Sequence, residues 1–247
     1  MVNLKDKEVQ IINEILLDLY RTETLKALEK CFLTGIGALI PYHQSNFYAI
    51  DPKSGDPFIR DAYFIDTDER LIPAFFESYQ PQNNYLINLF NYKQSIVFVE
   101  SDVLDENTRR NTDFYKNFLA PQGLLCGCGI ILIENGCKIG VVSIFRKETW
   151  NDFTEKEVFI LELFKTHLTE LVMKFVSQQK ECMNRHTERL TTREKEILEL
   201  IMKGYSNEEI AEKLFITVST TKKHVYHIFS KYGVNNRMSL IKLLHFE

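Results

Sequence analysis

The sequence lacks most of the features that mark a membrane, secreted or disulfide-bonded protein. Its 247 residues contain no apolar run that approaches the roughly 18 residues of a membrane-spanning helix. The N-terminus, MVNLKDKEVQ, has no apolar core after a basic start, so we expect no signal peptide. The five cysteines are odd in number and show no disulfide-framework spacing. Together these absences predict a cytoplasmic protein in a reducing compartment, with no membrane partner.

Net positive charge is also missing when the whole chain is counted. The net charge is −4, which by itself argues against binding to nucleic acid. Residues 187–247, however, hold ten lysines and arginines against eight glutamates, a net +2, so the remainder carries −6. The hydrophobic content of 45% and the aromatic content of 12% suit folded domains, and the length allows one large or two modest ones. A weakly basic C-terminal part therefore follows an acidic N-terminal part.

The C-terminal quarter of the chain carries the strongest local signals. Two capping boxes, Thr191-x-x-Glu194 and Ser206-x-x-Glu209, each precede an apolar-periodic run and mark the start of a helix. Gly204 ends the first helix, because glycine adopts the left-handed conformation at low cost. The helices predicted from these signals run from Thr192 to Lys203, from Asn207 to Leu214, and from an N-cap at Thr217 to just before Gly233.

The third of these helices has one apolar and one polar side. A stripe of the 3.6-residue period joins Thr221, Val225, Ile228 and Tyr232, which we expect to be buried against the two preceding helices. The side chains on its remaining surface are Ser219, Thr220, Lys222, Lys223, Tyr226, His227 and Ser230. A short helix, a tight turn and a longer helix with a cationic outer face form a helix-turn-helix.

Many fixed spacings in this stretch match the pattern of one family. The positions are Leu190-Thr191-x-Arg193-Glu194, Gly204-x-Ser206-Asn207-x-Glu209-Ile210-Ala211, Leu214, Thr220-x-Lys222-x-His224-Val225, Gly233-Val234 and Arg237. They resemble the DNA-binding domain of the LuxR-type (NarL- or GerE-type) transcription regulators. Thr221 departs from the usual valine, but it is nearly isosteric and can bond the carbonyl four residues back. At the position of Tyr226 many members of the family have a longer polar residue. This difference bears on which DNA sequence is read and not on whether DNA is bound.

The resemblance implies that the third helix enters the major groove of double-stranded DNA. Lys222, Lys223 and Tyr226 would face base edges, because lysine suits guanine O6 and N7 and a tyrosine hydroxyl can serve a base or a phosphate. The side chains expected at phosphates are Ser219, Thr220, His224, Asn207 at the start of the second helix and Arg237 at the start of a fourth. The alternative is that this surface is an ordinary solvated helix face.

The N-terminal part alternates helical and strand-like stretches. In chain order the pattern predicts helices over residues 4–40, strands near 46–50 and 58–65, helices near 71–79 and 85–90, a strand at 95–99, a helix at 107–119, paired strands at 124–133 and 138–145, and a long helix after Thr154. Asn135-Gly136 marks a β-hairpin between the paired strands, because both residues tolerate positive φ. We predict an α+β domain with an antiparallel sheet and flanking helices.

This order is similar to that of a GAF domain, a sensory module related to PAS domains. The similar residues are the strand-turn-strand segment Gly129 to Arg146, with Gly140-Val141-Val142-Ser143 inside it, and Asp152-Phe153-Thr154-x-x-Glu157 after it. We predict a GAF-like sensory or dimerisation domain over residues 1–176 and a linker or helical extension over 177–188. Residues 189–247 would form an all-α, four-helix DNA-binding domain.

Two regions are candidates for pairing two copies of the chain. The long helix carries an apolar stripe that includes Leu161 and Leu168, and pairing along it would bring two DNA-binding domains together, as inverted half-sites require. The family resemblance implies a dimer contact on the fourth helix, at Met238, Ile241 and Leu244. The alternative for both regions is packing within one chain.

The cysteines offer a different kind of site. Cys126 and Cys128 alternate on a strand and point to one face, and Cys137 lies in the hairpin. Thiolates bind zinc and form sulfenic acid, yet this spacing supplies no third and fourth ligand. Free cysteine is also a common small hydrophobe in cores. We expect packing, with no metal and no cofactor, and we keep a cysteine-based redox sensor as an alternative.

The aromatic residues Phe47, Tyr48, Phe64 and Phe98 would either line a pocket of the GAF-like domain or fill its core. A phosphoacceptor receiver needs a parallel α/β fold, and the predicted sheet is antiparallel, so we do not expect a phosphorylation input. The acyl-homoserine-lactone sensors carry several tryptophans where this chain has Trp150 alone, so we do not expect that input either.

From the two domains together we expect a homodimeric, sequence-specific transcription regulator that is not an enzyme. Its N-terminal domain would respond to a small-molecule effector or to assembly, or would act as a constitutive module without ligand. RNA polymerase is a further candidate partner.

Overall fold

In the computed structural model the chain divides into two compact units, Met1–Val176 and Ser177–Glu247. The structure describes residues 2–52, 62–78, 92–188 and 190–246. Within these ranges no helix is both long and apolar enough to cross a membrane. The helix predicted near residues 85–90 and the start of the strand predicted at 58–65 lie outside the described residues.

The first unit mixes helices with an antiparallel sheet. Its elements are α1 (Asp6–Tyr20), α2 (Leu25–Ile36), β1 (Gln44–Ala49), β2 (Tyr63–Ile65), α3 (Ile72–Ser78), β3 (Ile96–Val99), α4 (Glu100–Val103), α5 (Glu106–Arg110), β4 (Leu124–Glu134), β5 (Cys137–Lys147) and the start of α6 (Glu155–Glu188). The described strands pair in the order β2-β1-β5-β4-β3, and every pairing is antiparallel. The predicted α+β class is confirmed.

The hairpin between β4 and β5 forms where the sequence places it. Asn135 and Gly136 have φ values of 51° and 75°, so both residues of the turn are left-handed. This geometry matches the right-handed twist of the paired strands, which explains the Asn-Gly preference. The two strands bring the most apolar stretches of the unit into the centre of its sheet.

Each face of the sheet is covered by its own apolar cluster. Phe47 points into the cluster formed with α1, α2 and α6, and Tyr48, the next residue, points into an aromatic cluster on the other face. Both side chains are fully buried, so they fill the core. Phe64 packs against the aromatic cluster from its edge, and Phe98 is buried in a smaller cluster with Ile131.

The predicted helix over residues 107–119 is wrong, because the chain breaks in its middle. Helix α5 ends at Arg110, and a separate π-helical turn spans Tyr115–Leu119. Thr112 causes the break: its hydroxyl donates to the Arg109 carbonyl at 2.7 Å and accepts from the Tyr115 N–H at 3.1 Å. A threonine that closes one turn and caps the next competes with a continuous helix.

Helix α6 takes in residues 177–188, for which the sequence left a linker or a helical extension open. It begins with a capping box, since Thr154 N–H donates to Glu157 at 2.8 Å and Glu157 N–H donates to the Thr154 hydroxyl at 3.3 Å. It then continues through residues 177–188 as a helical extension. Leu161 and Leu168 are completely buried in the core of the first unit. The prediction that they pair two copies of the chain is therefore corrected, because they offer no surface to a second chain.

The second unit is all α-helical in the described residues. Its elements are α7 (Thr192–Met202), α8 (Asn207–Lys213), α9 (Val218–Tyr232) and α10 (Arg237–Phe246). Both predicted capping boxes are present at the starts of α7 and α8. The buried apolar residues form one cluster: Leu190, Ile197, Leu198, Ile201, Ile210, Val225, Ile228, Tyr232 and Leu240.

Candidate nucleic-acid interface

Thr217 fixes the start of α9. Its hydroxyl oxygen accepts from the Thr220 N–H at 3.1 Å, and the two threonine hydroxyls lie 2.8 Å apart. The Thr221 hydroxyl donates to the Thr217 carbonyl at 3.2 Å, which is the bond expected from a threonine at this position. The first turn of α9 is thus held by its own side chains.

The apolar side of α9 is buried as the periodicity predicts. Thr221, Val225, Ile228 and Tyr232 are all buried, in contact with the core that α7 and α8 supply. Since side chains three or four positions apart share one side of a helix, the opposite side of α9 must face outward. The buried stripe therefore sets the rotation of α9 about its own axis, and with it the side chains that face outward.

The turn between α8 and α9 is closed by a left-handed residue that is not glycine. Phe215 has a φ of 53°, and the Ile216 N–H donates to the Ala211 carbonyl at 3.0 Å, which completes a Schellman-type helix end. The Arg193 guanidinium caps the same end by donating to the Leu214 carbonyl at 2.6 Å. One backbone bond and one side-chain bond thus hold the turn between the two helices.

Glu194 braces α7 against α9, an interaction that sequence reasoning did not anticipate. Its carboxylate accepts from the Thr191 N–H at 2.7 Å and from Lys231 Nζ at 2.6 Å, and His227 Nδ1 lies 4.0 Å away. Burial opposes ionisation of Glu194, but the Lys231 ammonium and the bonds from Thr191 outweigh it and hold the pKa at about 2. The carboxylate is therefore charged throughout the neutral range.

Arg237 has a role inside the unit in addition to the phosphate contact predicted for it. Its Nη2 donates to the Ile201 carbonyl at 3.1 Å and also to the Tyr205 carbonyl. Both carbonyls belong to the end of α7 and the loop after it, where unpaired acceptors are expected. Part of the guanidinium is thus committed to holding α10 against α7.

The remaining predicted contact residues divide by exposure. Lys222, Lys223 and Ser219 are exposed, and Tyr226 keeps 70% of its surface. Thr220, His224 and Asn207 are half-buried. Within the described part of the chain no carboxylate lies within ion-pair distance of Lys222 or Lys223. The outer side of α9 thus presents two lysines that no described carboxylate neutralises.

The negative charges of the second unit lie on a different element. Glu208, Glu209 and Glu212 are exposed on α8. The pKa of Glu209 is lowered, first by the Ser206 N–H and then by the Ser206 hydroxyl, both of which bond its carboxylate. Because the acids sit on α8 and free lysines on α9, the surface potential favours approach of a polyanion to α9.

Among the three residues of α10 that were predicted to pair two copies, exposure differs. Met238 keeps 62% of its surface, whereas Ile241 and Leu244 are half-buried and pack against the core of the unit. Of the three residues predicted to pair two copies here, only Met238 stands clear of the fold. The pairing role of this helix stays a prediction.

The cysteines of the sheet have the properties of core residues. Cys126 and Cys128 are buried, and burial raises the pKa of both thiols, for Cys126 to about 12. A thiol that stays protonated is a poor nucleophile and a poor metal ligand. Cys137 is exposed, and among the described residues no group of three histidine, cysteine or acidic side chains could hold a metal ion. The geometry therefore favours packing over a redox site.

Comparison with known sequences identifies a relative of the second unit. Residues 188–244 match the family described as bacterial regulatory proteins, luxR family, also called GerE. The curated "Oxygen regulatory protein NreC" of Staphylococcus aureus (strain JH9) is 44% identical over 77 residues, which are 30% of this chain and 36% of the relative. The chain thus spans about a third of the length of the curated relatives that it matches.

Comparison with solved structures concerns the fold of the first unit. The VqsR LBD domain from Pseudomonas aeruginosa is similar with a TM-score of 0.51 at 14% identity, over 70% of this chain and 98% of that one. The GAF domain from an Acinetobacter phosphoenolpyruvate-protein phosphotransferase is similar with a TM-score of 0.51 at 9% identity, over 69% and 95%. At such identities the likeness shows the fold alone, and that fold is GAF-like.

Proposed function

Because its second unit is a DNA-binding domain of the luxR family of bacterial regulatory proteins, we propose that this chain is a sequence-specific transcription regulator. The observation that carries the proposal is the free cationic side of α9, which projects Lys222, Lys223 and Tyr226 outward while the opposite stripe is buried. A helix presented in this way matches the second helix of a helix-turn-helix in the major groove.

Contacts to base edges and contacts to phosphates come from different parts of this surface. Lys222 and Lys223 reach base edges, because lysine donors suit the guanine acceptors of the major groove. Ser219, Thr220 and Asn207 lie at the starts of α9 and α8, where helix N-termini favour phosphate. The net charge of +2 over residues 187–247 is small for a single module, so two copies on one DNA site are expected.

The proposal is tested by selecting double-stranded DNA from a random library with the full chain and measuring affinity for the selected site. Lys222→Ala is expected to weaken binding by about 1–3 kcal/mol, which is roughly 5- to 150-fold. If Lys222 also neutralises a phosphate, the salt dependence should flatten by about one unit of slope. Fluorescence anisotropy over a range of salt concentrations measures both effects.

The matched control is Lys195→Ala, which removes another exposed lysine, on α7. Its affinity for the selected site should stay within about twofold of the wild type, because surface charges away from the contact act only through a screened field. Equal losses of DNA affinity in the two variants, or no loss in Lys222→Ala, would contradict the assignment of α9 as the helix that contacts DNA.

The surface that pairs two copies is proposed to lie on the outer side of α1 and α6. Val9, Leu17 and Tyr20 on α1 keep 43%, 58% and 54% of their surface, and Phe159 and Leu163 on α6 keep 37% and 36%. The two helices lie side by side, since Lys156 bonds Glu8 and the Tyr20 hydroxyl lies 3.0 Å from His167. Apolar side chains gathered on one exposed surface mark an interface more often than isolated ones.

The first unit is proposed to be the input part of the regulator. Its GAF-like fold is shared with the VqsR LBD domain, and the buried, protonated thiols give a redox input no support. In the proposed mechanism, an effector or a change of assembly repositions the two second units of a dimer. Their α9 helices then match, or fail to match, two adjacent major grooves.

A further inference from the structure

His227 lies on the outer side of α9, on the flank that faces α7. At 3.6 residues per turn, it stands about 130° around the helix from the centre of the buried stripe, the same angle as Tyr226 but on the opposite flank. Nearly half of its side chain, 47%, is exposed. The outer side of α9 therefore has Tyr226 on one flank, Lys223 in the middle and His227 on the other.

The carboxylate of Glu194 stands behind the His227 ring. Glu194 Oε1 lies 4.0 Å from His227 Nδ1, and the Glu194 side chain is only 3% exposed. This carboxylate stays charged in the neutral range, because its pKa is held at about 2. Nδ1 thus faces the protein, and Nε2, at the far edge of the ring, is left for a partner outside it.

The charges around His227 come from two helices. Glu194 belongs to α7, and Lys223 and Lys231 stand one turn before and one turn after His227 on α9 itself. Lys231 is bonded to Glu194 at 2.6 Å, which offsets the charge of that carboxylate. In the described residues, α8 and α10 place no carboxylate within ion-pair distance of the ring. An anion brought to Nε2 would therefore be a strong new stabiliser of a proton on the ring.

The position of His227 along α9 points to the DNA backbone. Helix α9 has 15 residues and is about 22 Å long, whereas the major groove is about 12 Å wide. The first turns of the second helix of a helix-turn-helix contact base edges, so its later turns pass the edge of the groove. His227 is the tenth residue of α9, on the same flank as Thr220 and two turns after it. Its ring would thus face the phosphates at that edge.

We propose that His227 binds a DNA phosphate in its protonated form, with Glu194 holding the ring from behind. A neutral imidazole carries a single N–H, so it can donate to Glu194 or to a phosphate but not to both. The imidazolium donates from both nitrogens, with Nδ1–H toward Glu194 and Nε2–H to a phosphate oxygen. This contact rests on the proposed function, since it exists only if α9 binds DNA.

The contact makes DNA affinity depend on pH. Histidine is the side chain that changes charge between pH 5 and 8, so a falling pH supplies the second N–H and a positive charge. The proton and the DNA then strengthen each other's binding, because their coupling is reciprocal. Affinity therefore rises as the pH falls from 8 to 6. Contacts from lysine add no such change, because lysine titrates well above this range.

The test is the affinity of the full chain for its selected DNA site at pH 8 and pH 6, at constant ionic strength. The wild type should bind about 3- to 10-fold more tightly at pH 6, since the uptake of one proton strengthens binding by at most about tenfold for each pH unit. The salt dependence should steepen by about one unit of slope over the same interval. His227→Gln, which has no proton to gain, should lose most of both effects.

Two further variants separate this contact from other histidines. His227→Lys carries a cation at both pH values, so its affinity at pH 8 should approach that of the wild type at pH 6, with little further gain. His43→Gln, in the first unit, should keep the wild-type gain. If the gain is lost in His224→Gln and kept in His227→Gln, the protonated contact lies at His224 and the proposal is overturned.

Failure of this contact and failure of the proposed function give different results. If the wild type selects no DNA sequence, the regulator proposal fails and the contact fails with it. If it selects a site but binds no more tightly at pH 6, or gains equally in His227→Gln, only the contact fails. Far-UV circular dichroism at both pH values checks that each variant keeps its helices, and an exposed position such as 227 should tolerate the changes.

Discussion

The two units differ in how far along the chain their longest polar bonds reach: 37 residues in the second unit, from Glu194 to Lys231, and more than 100 in the first. In the second unit, the helix starts are held by bonds between residues three apart, as at Ser206 with Glu209 and Thr217 with Thr220. In the first unit, Arg146 donates to the Pro41 carbonyl, 105 residues away, at 2.9 Å from both Nε and Nη2. Local bonds form within one helix, whereas remote bonds form only when the whole unit packs, so the first unit depends more on its packed fold.

The largest effect is expected where the remote bonds of the first unit meet. Arg146 is buried, its guanidinium bonds the carbonyls of Pro41, Asn151 and Asp152, and it pairs with Glu157 at 2.5 Å. Arg146→Ala would leave the half-buried Glu157 carboxylate without its cation and three carbonyls without their donor, which together cost about 3–5 kcal/mol. Denaturant unfolding followed through Trp150 measures the loss.

The matched control is Arg70→Ala, which removes an ion pair formed on the surface. Arg70 pairs with Asp68 at 2.6 Å, but its side chain is 88% exposed, so water replaces the contact. The free energy of unfolding should stay close to that of the wild type, because exposed pairs contribute little. Similar losses in the two variants would contradict the claim that buried, remote bonds hold this unit.

A remote bond also exists in the second unit, and pH should reveal it. The pKa of Glu194 is lowered from 4.5 to about 2, so its ionised form stabilises the fold above pH 4.5, and this contribution is lost as the pH falls toward 2. The whole shift corresponds to about 3 kcal/mol. Hydrogen exchange of α7 and α9, corrected for the intrinsic rate at each pH, measures the loss.

Two variants sharpen this prediction. Glu194→Gln should remove most of the pH dependence between pH 4.5 and 2, because the Lys231 ammonium then has no carboxylate to stabilise. Glu196→Gln, on the same helix, removes an exposed pair with Arg193 and should leave this pH dependence nearly unchanged. An unaltered pH profile in Glu194→Gln would place the acid sensitivity elsewhere in the unit.

The range of the bonds also explains what could be read from the sequence. The caps at Thr191 and Ser206 could be predicted because donor and acceptor stand at a fixed spacing. The bond from Glu194 to Lys231 could not, because its partner lies 37 residues away and only the packed fold brings them together. The break at Thr112 could not be predicted either. The apolar pattern around a threonine is the same whether its hydroxyl bonds the preceding turn and ends the helix or points to solvent inside it.

The candidate site was predictable to the same extent. The buried stripe of α9 followed from periodicity, so the exposure of Lys222 and Lys223 followed with it. Arg237 did not, because its bonds to two carbonyls depend on where α10 packs.

A smaller effect is expected at the surface proposed to pair two copies. Leu17→Asp places a charge among the exposed apolar residues of α1 and α6 and should weaken self-association by about 1–2 kcal/mol, roughly 5- to 30-fold. Tyr92→Asp, at an exposed aromatic residue outside both helices, should leave it unchanged. Sedimentation equilibrium measures both variants. Equal association constants for Leu17→Asp and the wild type would show that the interface does not lie on α1 and α6.

The smallest effect compares the three helix ends of the second unit. The ends of α7 and α9 place glycines, Gly204 and Gly233, at φ values of 87° and 66°, whereas the end of α8 places Phe215 at 53°. A left-handed conformation strains every residue except glycine, and the Phe215 side chain is 95% exposed, so it gains little from packing. Phe215→Gly should therefore stabilise the unit by about 0.5–1 kcal/mol.

The reverse change at α9 tests the same argument with the opposite sign. A Cβ on Gly233 would meet no atom within 4 Å, so Gly233→Ala adds no clash and carries only the cost of a left-handed alanine, about 1 kcal/mol. Hydrogen exchange of α8 and α9 in the full chain measures both variants. If Phe215→Gly loosens the turn instead, the strain at Phe215 is smaller than the conformational freedom that glycine adds to the unfolded chain, and the argument from the left-handed conformation fails.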